Sequence, residues 1–373
     1  DHDRTVADIV RITEIPAPPF KEEQRGRAYA EMLRAHGLRD VETDAEGNVM
    51  GIRPGTDPQA KLVVVSAHLD TVFPEGTEVK VRREGTRLYA PGVGDDSRGL
   101  AVLLAWLRAM DEAQIRTRAP LLIVGTVGEE GLGDLRGVKH LFREGKHKDR
   151  IAAFFSVDGT NPARVTNGAV GSKRYRVTFK GPGGHSFGAF GLVNPAFALA
   201  RAADAFSRIQ VPATPKTTYS IGVMGGGTSV NAIPEEVWME VDMRSESPEE
   251  LAKVEARLLA ILPQAVADEN AARSTAEGAI RVEPRLVGDR PAGGTPADSR
   301  IVRLCAATIT ARGGRPEFNA SSTDSNMAMS IGVPALTIGS GGAGGRAHSP
   351  AEWIDVEPDA SARGMATSLA TVL

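Results

Sequence analysis

Runs of apolar residues along the chain predict several buried strands. Residues 61–66, 121–124 and 151–157 are apolar over most of their length, and residues 335–338 repeat the pattern near the end of the chain. Such runs are typical of strands that are covered on both faces, as in parallel sheets. The runs therefore predict a buried, mostly parallel sheet.

Helical patterns lie between these predicted strands. Leu100, Leu103, Leu104 and Leu107 recur at the spacing of one helix face, which predicts an amphipathic helix. Residues 137–143 and 300–310 also favour helices, and so does the region 5–37, where prolines divide two helices. We expect an α/β fold with a mostly parallel sheet and helices on both of its faces.

The pattern changes in the middle of the chain. Apolar and polar residues alternate around Tyr175, Val177 and Phe179, and again over residues 217–223 and 237–244, as in half-exposed antiparallel strands. Helices are predicted to begin at Pro195 and after Ser247, the second extending toward residue 262. Residues 168–287 are thus predicted to be an inserted α+β domain, with 1–167 and 288–373 forming the catalytic domain.

Composition narrows the classes of partner. The chain has 373 residues, and 44 Lys and Arg against 47 Asp and Glu give a formal net charge of −3. This balance does not favour nucleic acid or an anionic membrane as a partner, and no apolar run is long enough to span a bilayer. Cys305 is the only cysteine, which excludes an internal disulfide. We expect a cytoplasmic protein, although an exported form stays open because the chain begins at Asp1 without Met.

Acids and imidazoles follow the predicted strands. The candidates are His68, Asp70, Asp95, Asp96, Glu129, Glu130, Asp158 and His348. A pair such as Glu129 and Glu130 can by itself open a solvated loop. In an α/β sheet, however, the carboxyl ends of the strands converge on one crevice. Mixed imidazole and carboxylate ligands suit zinc, cobalt or manganese, and their number suits a pair of ions with a bridging carboxylate.

The motifs that carry these residues resemble a known family. They are His68-Leu69-Asp70-Thr71-Val72, Gly94-Asp95-Asp96, Glu129-Glu130-Gly131, Val157-Asp158-Gly159 and His348-Ser349-Pro350. In this order they resemble the co-catalytic zinc hydrolases that include peptidase T, aminoacylase, glutamate carboxypeptidase and succinyl-diaminopimelate desuccinylase. The resemblance covers nearly the whole chain, and peptidase T-like members are the most similar.

The resemblance implies a role for each residue. It assigns His68 and Asp158 to one zinc, Glu130 and His348 to the other, and Asp95 to a bridge between them. Asp70 is expected to hold the second ring nitrogen of His68. Glu129 is expected to act as the general base.

The inserted domain resembles the lid and dimerisation domain of the same family. Gly183-Gly184-His185-Ser186 matches a loop whose His reaches the active site of a neighbouring subunit and stabilises the oxyanion. Asn231 and Arg244 lie in two further motifs, where such residues hold the carboxylate or carbonyl of the substrate. The resemblance thus implies a homodimer formed through this domain. Ser97 and Arg98 depart from the family, in which many members have Lys after the Asp pair, and this leaves substrate choice open.

Two glycine-rich stretches match motifs of other classes of enzyme. Residues 184–188 spell the nucleophile elbow of serine hydrolases, but no helix pattern follows directly. Gly339, Gly341 and Gly344 match the dinucleotide fingerprint, again without a following helix. A peptide-binding module without activity would be favoured by the loss of Glu129 or of a ligand, and none is missing.

The function expected from the sequence is metal-dependent hydrolysis of an amide bond in a short peptide, as in a dipeptidase or tripeptidase. Deacylation of an N-acyl amino acid and carboxypeptidase activity are alternatives on the same machinery, and both would use the water activated by two metals, with Glu129 as the base.

Overall fold

The buried apolar runs form the centre of a nine-stranded sheet. The computed structural model describes all residues, 1–373, and the chain divides into two units, one of Asp1–Ala169 with Gly294–Leu373 and one of Val170–Gly293. Up to residue 169 the elements are α1 (His2–Thr13), α2 (Glu23–Ala35), β1 (Arg39–Thr43), β2 (Val49–Arg53), β3 (Leu62–His68), β4 (Arg82–Glu84), β5 (Arg87–Tyr89), α3 (Arg98–Glu112), β6 (Leu121–Thr126), α4 (Arg136–Arg143), β7 (Ile151–Val157) and β8 (Arg164–Ala169).

The second unit and the last part of the chain complete the element order. The second unit contains β9 (Gly171–Lys180), β10 (Gly184–His185), α5 (Pro195–Ser207), β11 (Thr217–Gly226), β12 (Ala232–Ile233), β13 (Glu236–Ser245), α6 (Pro248–Ala272) and β14 (Arg281–Arg290). The chain then forms β15 (Gly293–Gly294), α7 (Arg300–Ala311), β16 (Glu317–Ser321), α8 (Ser325–Ser330), β17 (Ala335–Ile338), β18 (Ala343–Gly345), β19 (Trp353–Asp355) and α9 (Pro358–Val372). No helix is long and apolar enough to cross a membrane.

The large sheet has parallel strands at its centre, which confirms the predicted fold class. Its order is β1-β2-β6-β3-β7-β17-β8-β15, with β16 paired to β8. The four strands β6, β3, β7 and β17 run parallel, while β1 and β2 add an antiparallel edge. Each face of the sheet is covered by an apolar cluster with its own helices. Parallel strands buried on both faces are the physical reason for the continuous apolar runs in the sequence.

The leucines at the spacing of one helix face in α3 pack into the core. Leu100, Leu103, Leu104 and Leu107 are each fully buried in the cluster on one face of the sheet. Burying one such side chain contributes about 2 kcal/mol to folding. The helix begins directly behind the loop that carries Asp95, so its packing fixes where that loop lies.

The second unit packs two helices against an antiparallel sheet. The sheet order is β11-β13-β9-β14, and α5 and α6 contribute to the apolar cluster of this unit. The end at residue 287 that the sequence suggested falls inside β14, which stays paired with β9 as far as Arg290 opposite Ser172. Helix α6 runs to Ala272, past the expected end near residue 262 and through Pro263, because Ala265 and Glu269 continue its buried face.

Candidate metal centre

Three neighbouring parallel strands deliver the polar side chains of the site. Strand β3 ends at His68, β7 is followed by Asp158, and β6 is followed after a short turn by Glu129 and Glu130. Because β6, β3 and β7 are adjacent in the sheet, their carboxyl ends lie side by side. Residues separated by about ninety positions in the sequence therefore meet at one edge of the sheet.

The donor atoms form two groups that share one carboxylate. His68, Asp95 and Asp158 form one group, and Asp95, Glu130 and His348 form the other, with all donor atoms of a group within 4.8 Å of one another. Asp95 Oδ1 lies 2.8 Å from His68 Nε2, and Asp95 Oδ2 lies 3.0 Å from His348 Nε2. Each oxygen of Asp95 thus faces a different imidazole, which is the arrangement of a bridging ligand.

Electrostatics in this cluster favour a bound cation. Burial raises the pKa of Glu130 and of Asp158, because ionised carboxylates lose hydration there. Burial also opposes ionisation of Asp95, but hydrogen bonds with His348 and His68 lower its pKa. Divalent cations offset both the lost hydration and the repulsion between the carboxylates. The mixed oxygen and nitrogen donors fit zinc, cobalt or manganese in two positions.

Asp70 organises the residues around it through three contacts. Its carboxylate is fully buried and accepts hydrogen bonds from the backbone N–H groups of Glu129 (3.1 Å) and Glu130 (2.8 Å). The ring nitrogen Nδ1 of His68 lies 2.9 Å from the backbone carbonyl oxygen of Asp70 and 3.7 Å from its carboxylate. A carbonyl only accepts, so Nδ1 carries the proton and Nε2 faces the donor group. The expected contact of Asp70 with His68 is therefore made by the main chain, and the carboxylate holds the Glu pair.

Glu129 lies beside the ligands. Its carboxylate belongs to a third group of donor atoms, with His68 and Glu130, that also falls within 4.8 Å. The side chain is largely buried. Glu129 thus lies next to one residue of each donor group, His68 and Glu130.

Two acidic residues that the sequence did not single out support the site. Glu352 is 2% exposed, and its carboxylate accepts hydrogen bonds from the N–H groups of Gly92 (3.0 Å), Gly94 (2.7 Å) and Asp95 (2.8 Å). Burial raises the pKa of Asp324 to about 7, and its Oδ2 accepts a hydrogen bond from Thr126. Nothing in the local sequence of either acid marks it, although Glu352 lies four residues after His348.

Asp96 has a supporting role rather than a place in either donor group. Its carboxylate is fully buried and accepts hydrogen bonds from the N–H groups of His68 (3.1 Å) and Gly99 (3.2 Å). A Cβ atom on Gly99 would lie 2.1 Å from Asp96 Oδ1, so only glycine fits there. Asp96 thus connects the end of β3 to the start of α3.

The predicted residues of the inserted domain all lie in the second unit. His185 is exposed, and its Nδ1 accepts hydrogen bonds from the N–H groups of Phe187 and Gly188, both at 3.2 Å. The backbone carbonyl oxygen of Asn231 accepts a hydrogen bond from the N–H group of Ser186 at 2.9 Å, and its side-chain Oδ1 accepts one from the hydroxyl of Ser229. Arg244 is 41% exposed and donates from Nε to its neighbour Asp242.

The structure rules out the two competing glycine-rich motifs. Residues 184–185 belong to the short strand β10, which pairs antiparallel with β12, and the next helix starts only at Pro195. A nucleophile elbow needs a core parallel strand before it and a helix directly behind it. After Ile338 no helix follows before Pro358, so no helix N-terminus is available to a dinucleotide.

Comparisons with known proteins give matches over most or all of the chain. The family model for the peptidase family M20/M25/M40 matches residues 64–373. N-carbamoyl-L-amino acid amidohydrolase of Geobacillus stearothermophilus is 25% identical over 391 residues, which cover 90% of this chain and 87% of that protein. A tripeptidase structure from Staphylococcus aureus superimposes with a TM-score of 0.80 at 20% identity, over 100% of this chain and 96% of that one. Aminopeptidase PepT from Bacillus cereus superimposes with a TM-score of 0.78 at 19% identity, over 100% and 98% of the two chains. At such identities the two structures show a shared fold.

Proposed function

Since the chain belongs to the peptidase family M20/M25/M40, we propose that it hydrolyses the terminal amide bond of short peptides with two zinc ions. One observation carries the proposal: Asp95 turns one carboxylate oxygen to His68 and the other to His348. The first ion would be held by His68, Asp95 and Asp158, and the second by Asp95, Glu130 and His348. When bound, two ions there would lower the pKa of water and polarise the carbonyl of the substrate.

Glu129 moves the proton in the proposed reaction. It takes a proton from the attacking water, whose oxygen adds to the carbonyl carbon of the scissile bond. When the C–N bond breaks, Glu129 passes the proton to the departing nitrogen, so that an acid and an amine leave. Asp70 holds the backbone of Glu129 and Glu130 while this happens.

The proposal gives the inserted unit the roles that the resemblance implies. With two N–H groups donating to Nδ1 of His185, the neutral ring carries its proton on Nε2 and can donate a hydrogen bond to an oxyanion. Arg244 keeps its terminal nitrogens for a carbonyl or carboxylate of the substrate, and Asn231 acts beside it. We place His185 at the active site of a second copy, in a homodimer formed through this unit.

An exposed edge supports the proposed dimer. Strand β11 is an edge strand of its sheet, and it leaves Val223 (48%) and Met224 (54%) exposed. Apolar edge strands are surfaces at which chains pair. We propose a cytoplasmic enzyme, and the single buried thiol of Cys305 is compatible with that compartment.

Glu129→Gln tests the proposed chemistry. Glutamine keeps the size of the side chain but cannot take a proton, so turnover should fall by at least about a hundred-fold while the zinc content stays at two ions. Zinc content and circular dichroism are the controls. If the Glu129→Gln protein is active, Glu129 is not the base. If the wild-type protein hydrolyses no amide, the alternative of a peptide-binding module without activity is supported instead.

A second candidate substrate is an N-acyl or N-carbamoyl amino acid. It is favoured by the likeness to the N-carbamoyl-L-amino acid amidohydrolase named above. The zinc-loaded protein should be incubated with a mixture of dipeptides, tripeptides, N-acyl and N-carbamoyl amino acids, and the products identified by mass. Release of amino acids from the peptides alone supports the main proposal, and release from the N-substituted amino acids alone supports the alternative.

A further inference from the structure

A short turn carries His348 to the metal centre, and Arg346 lies two residues before it in the chain. Strand β18 ends at Gly345 and is paired with β19, which fixes the chain before the turn. The backbone oxygen of Arg346 accepts hydrogen bonds from the N–H group (3.1 Å) and the hydroxyl (2.8 Å) of Ser349. The backbone of Arg346 is therefore held in place on both sides, two residues from a proposed ligand.

The backbone at Arg346 has a conformation that suits glycine better than arginine. Its φ is 59°, in the left-handed region, and that of His348 is 64°. Residues with a Cβ atom are disfavoured there, and such positions cluster at binding and catalytic sites. His348 needs its side chain for the metal centre. Arg346, two residues before it, shares this left-handed backbone.

The guanidinium of Arg346 is available to a ligand. The side chain is exposed and forms no ion pair or hydrogen bond with another side chain. Arg346 is also the only Lys or Arg within two residues of any proposed metal ligand. By contrast, Arg164 lies against Asp158, and Arg98 donates to Gly341.

The chemistry of the site indicates what the guanidinium binds. Apart from His68 and His348, the residues that would hold the ions are carboxylates, which would repel an anionic substrate wherever the ions did not offset them. The planar fork of arginine matches a carboxylate with two parallel hydrogen bonds. His348 is half exposed, so the site is open to solvent at this proposed ligand.

We propose that Arg346 binds the free carboxylate of the substrate and thereby selects peptides or N-acyl amino acids whose carboxylate lies close to the scissile bond. This inference rests on the proposed hydrolysis and narrows its substrate class. It leaves Arg244 of the inserted unit to the carbonyl oxygen. The enzyme should accordingly prefer a dipeptide acid to the corresponding dipeptide amide.

The test compares a dipeptide with its C-terminal amide. For the zinc-loaded wild-type protein, kcat/KM should favour the free acid. In Arg346→Gly this preference should shrink by at least about ten-fold, the effect of losing one charge-assisted contact, and the change should be in KM rather than kcat. Arg346→Lys should keep part of the preference, and Arg315→Gln, at another exposed arginine of the same unit, should keep all of it.

The substitution Arg346→Gly distinguishes a role of Arg346 in binding from a role in stabilising the fold. Because a φ of 59° suits glycine, Arg346→Gly should keep or raise the melting temperature. An Arg346→Gly enzyme that retains the full preference for the acid would overturn the inference, and so would an equal loss on both substrates.

Binding measured without turnover tests the role of Arg346 independently of the proposed hydrolysis. Calorimetry with the dipeptide acid on the zinc-loaded Glu129→Gln protein, with and without Arg346→Gly, should show affinity weakened by about ten-fold. If the wild-type protein hydrolyses neither dipeptide, the proposed function fails, while the calorimetric comparison still decides the role of Arg346. Equal affinity of the two proteins for the acid would refute that role even in an active enzyme.

Discussion

Glu352 offers a strong test of how the metal centre is built. Its buried carboxylate accepts hydrogen bonds from three backbone N–H groups, those of Gly92, Gly94 and Asp95. These groups belong to the loop that carries Asp95. If the loop depends on Glu352, removing the carboxylate should weaken both the fold and the binding of cations.

The contacts allow the size of the effect to be worked out. Each buried N–H left without an acceptor costs about 1–3 kcal/mol, and water entering the space recovers part of this. Glu352→Ala should therefore lose about 3–5 kcal/mol of the free energy of unfolding, a large share of a typical 5–15 kcal/mol. Gly94 and Asp95 both donate to Oε1, whereas Gly92 donates to Oε2. Glu352→Gln keeps an oxygen for the first two and should lose only about 1–3 kcal/mol.

Urea unfolding of the metal-free protein measures these losses, and titration with zinc measures affinity. Affinity should fall by about 10–100-fold in Glu352→Ala, as for other residues that orient metal ligands. Glu357→Ala is the control: that carboxylate caps α9 and touches no residue of the loop, so zinc affinity should not change. A loss below about 1 kcal/mol in Glu352→Ala, or equal losses for Ala and Gln, would refute the reasoning.

Three further predictions follow from the site, the edge strand and the thiol. Removing metal with a chelator should abolish activity and lower the melting temperature, because ions that bind only the folded chain stabilise the folded state. Added zinc should restore both. Activity in the metal-free protein would contradict a metal mechanism. Val223→Lys with Met224→Lys should convert a dimer to a monomer in sedimentation, because charges on an edge strand oppose pairing, and a monomeric wild-type protein would contradict the proposed interface. Burial raises the pKa of Cys305 from 9.0 to about 11, so the thiol stabilises the fold below pH 9 and this contribution is lost as the pH rises to about 11. The unfolding free energy of the wild type should therefore fall relative to that of Cys305→Ala over this range of pH, and a constant difference would contradict the prediction.

Local patterns in the sequence predicted much of the fold. The strands at Ile151–Val157 and Ala335–Ile338 have the predicted bounds, and α5 starts at the predicted Pro195. These features depend on neighbouring residues alone, because an apolar run, or Asn before Pro at a helix start, acts within a few positions. Helix α6 was harder to predict, because the packing of residues beyond Pro263 determines where it ends.

The hydrogen bonds of the acids that support the site could not be predicted from local patterns in the sequence. Asp70 was predicted to hold the second ring nitrogen of His68, and its backbone carbonyl oxygen lies 2.9 Å from that nitrogen, but the sequence did not indicate that its carboxylate receives the N–H groups of Glu129 and Glu130. Glu352 contacts N–H groups up to 260 positions away in the chain. Which backbone groups meet a given carboxylate depends on how strands and loops pack, and no spacing in the sequence encodes it.

By itself, the sequence determined the strand and helix types, the chemical identity of the donors and the order of the motifs, because these depend on residue types and their spacing. Only the tertiary structure decided that Asp95 divides its oxygens between His68 and His348. It also decided that the backbone of Arg346, two residues before His348, is left-handed. The physical reason is that a bridge is a relation between groups brought together by folding, and its geometry exists only after the strand ends have converged.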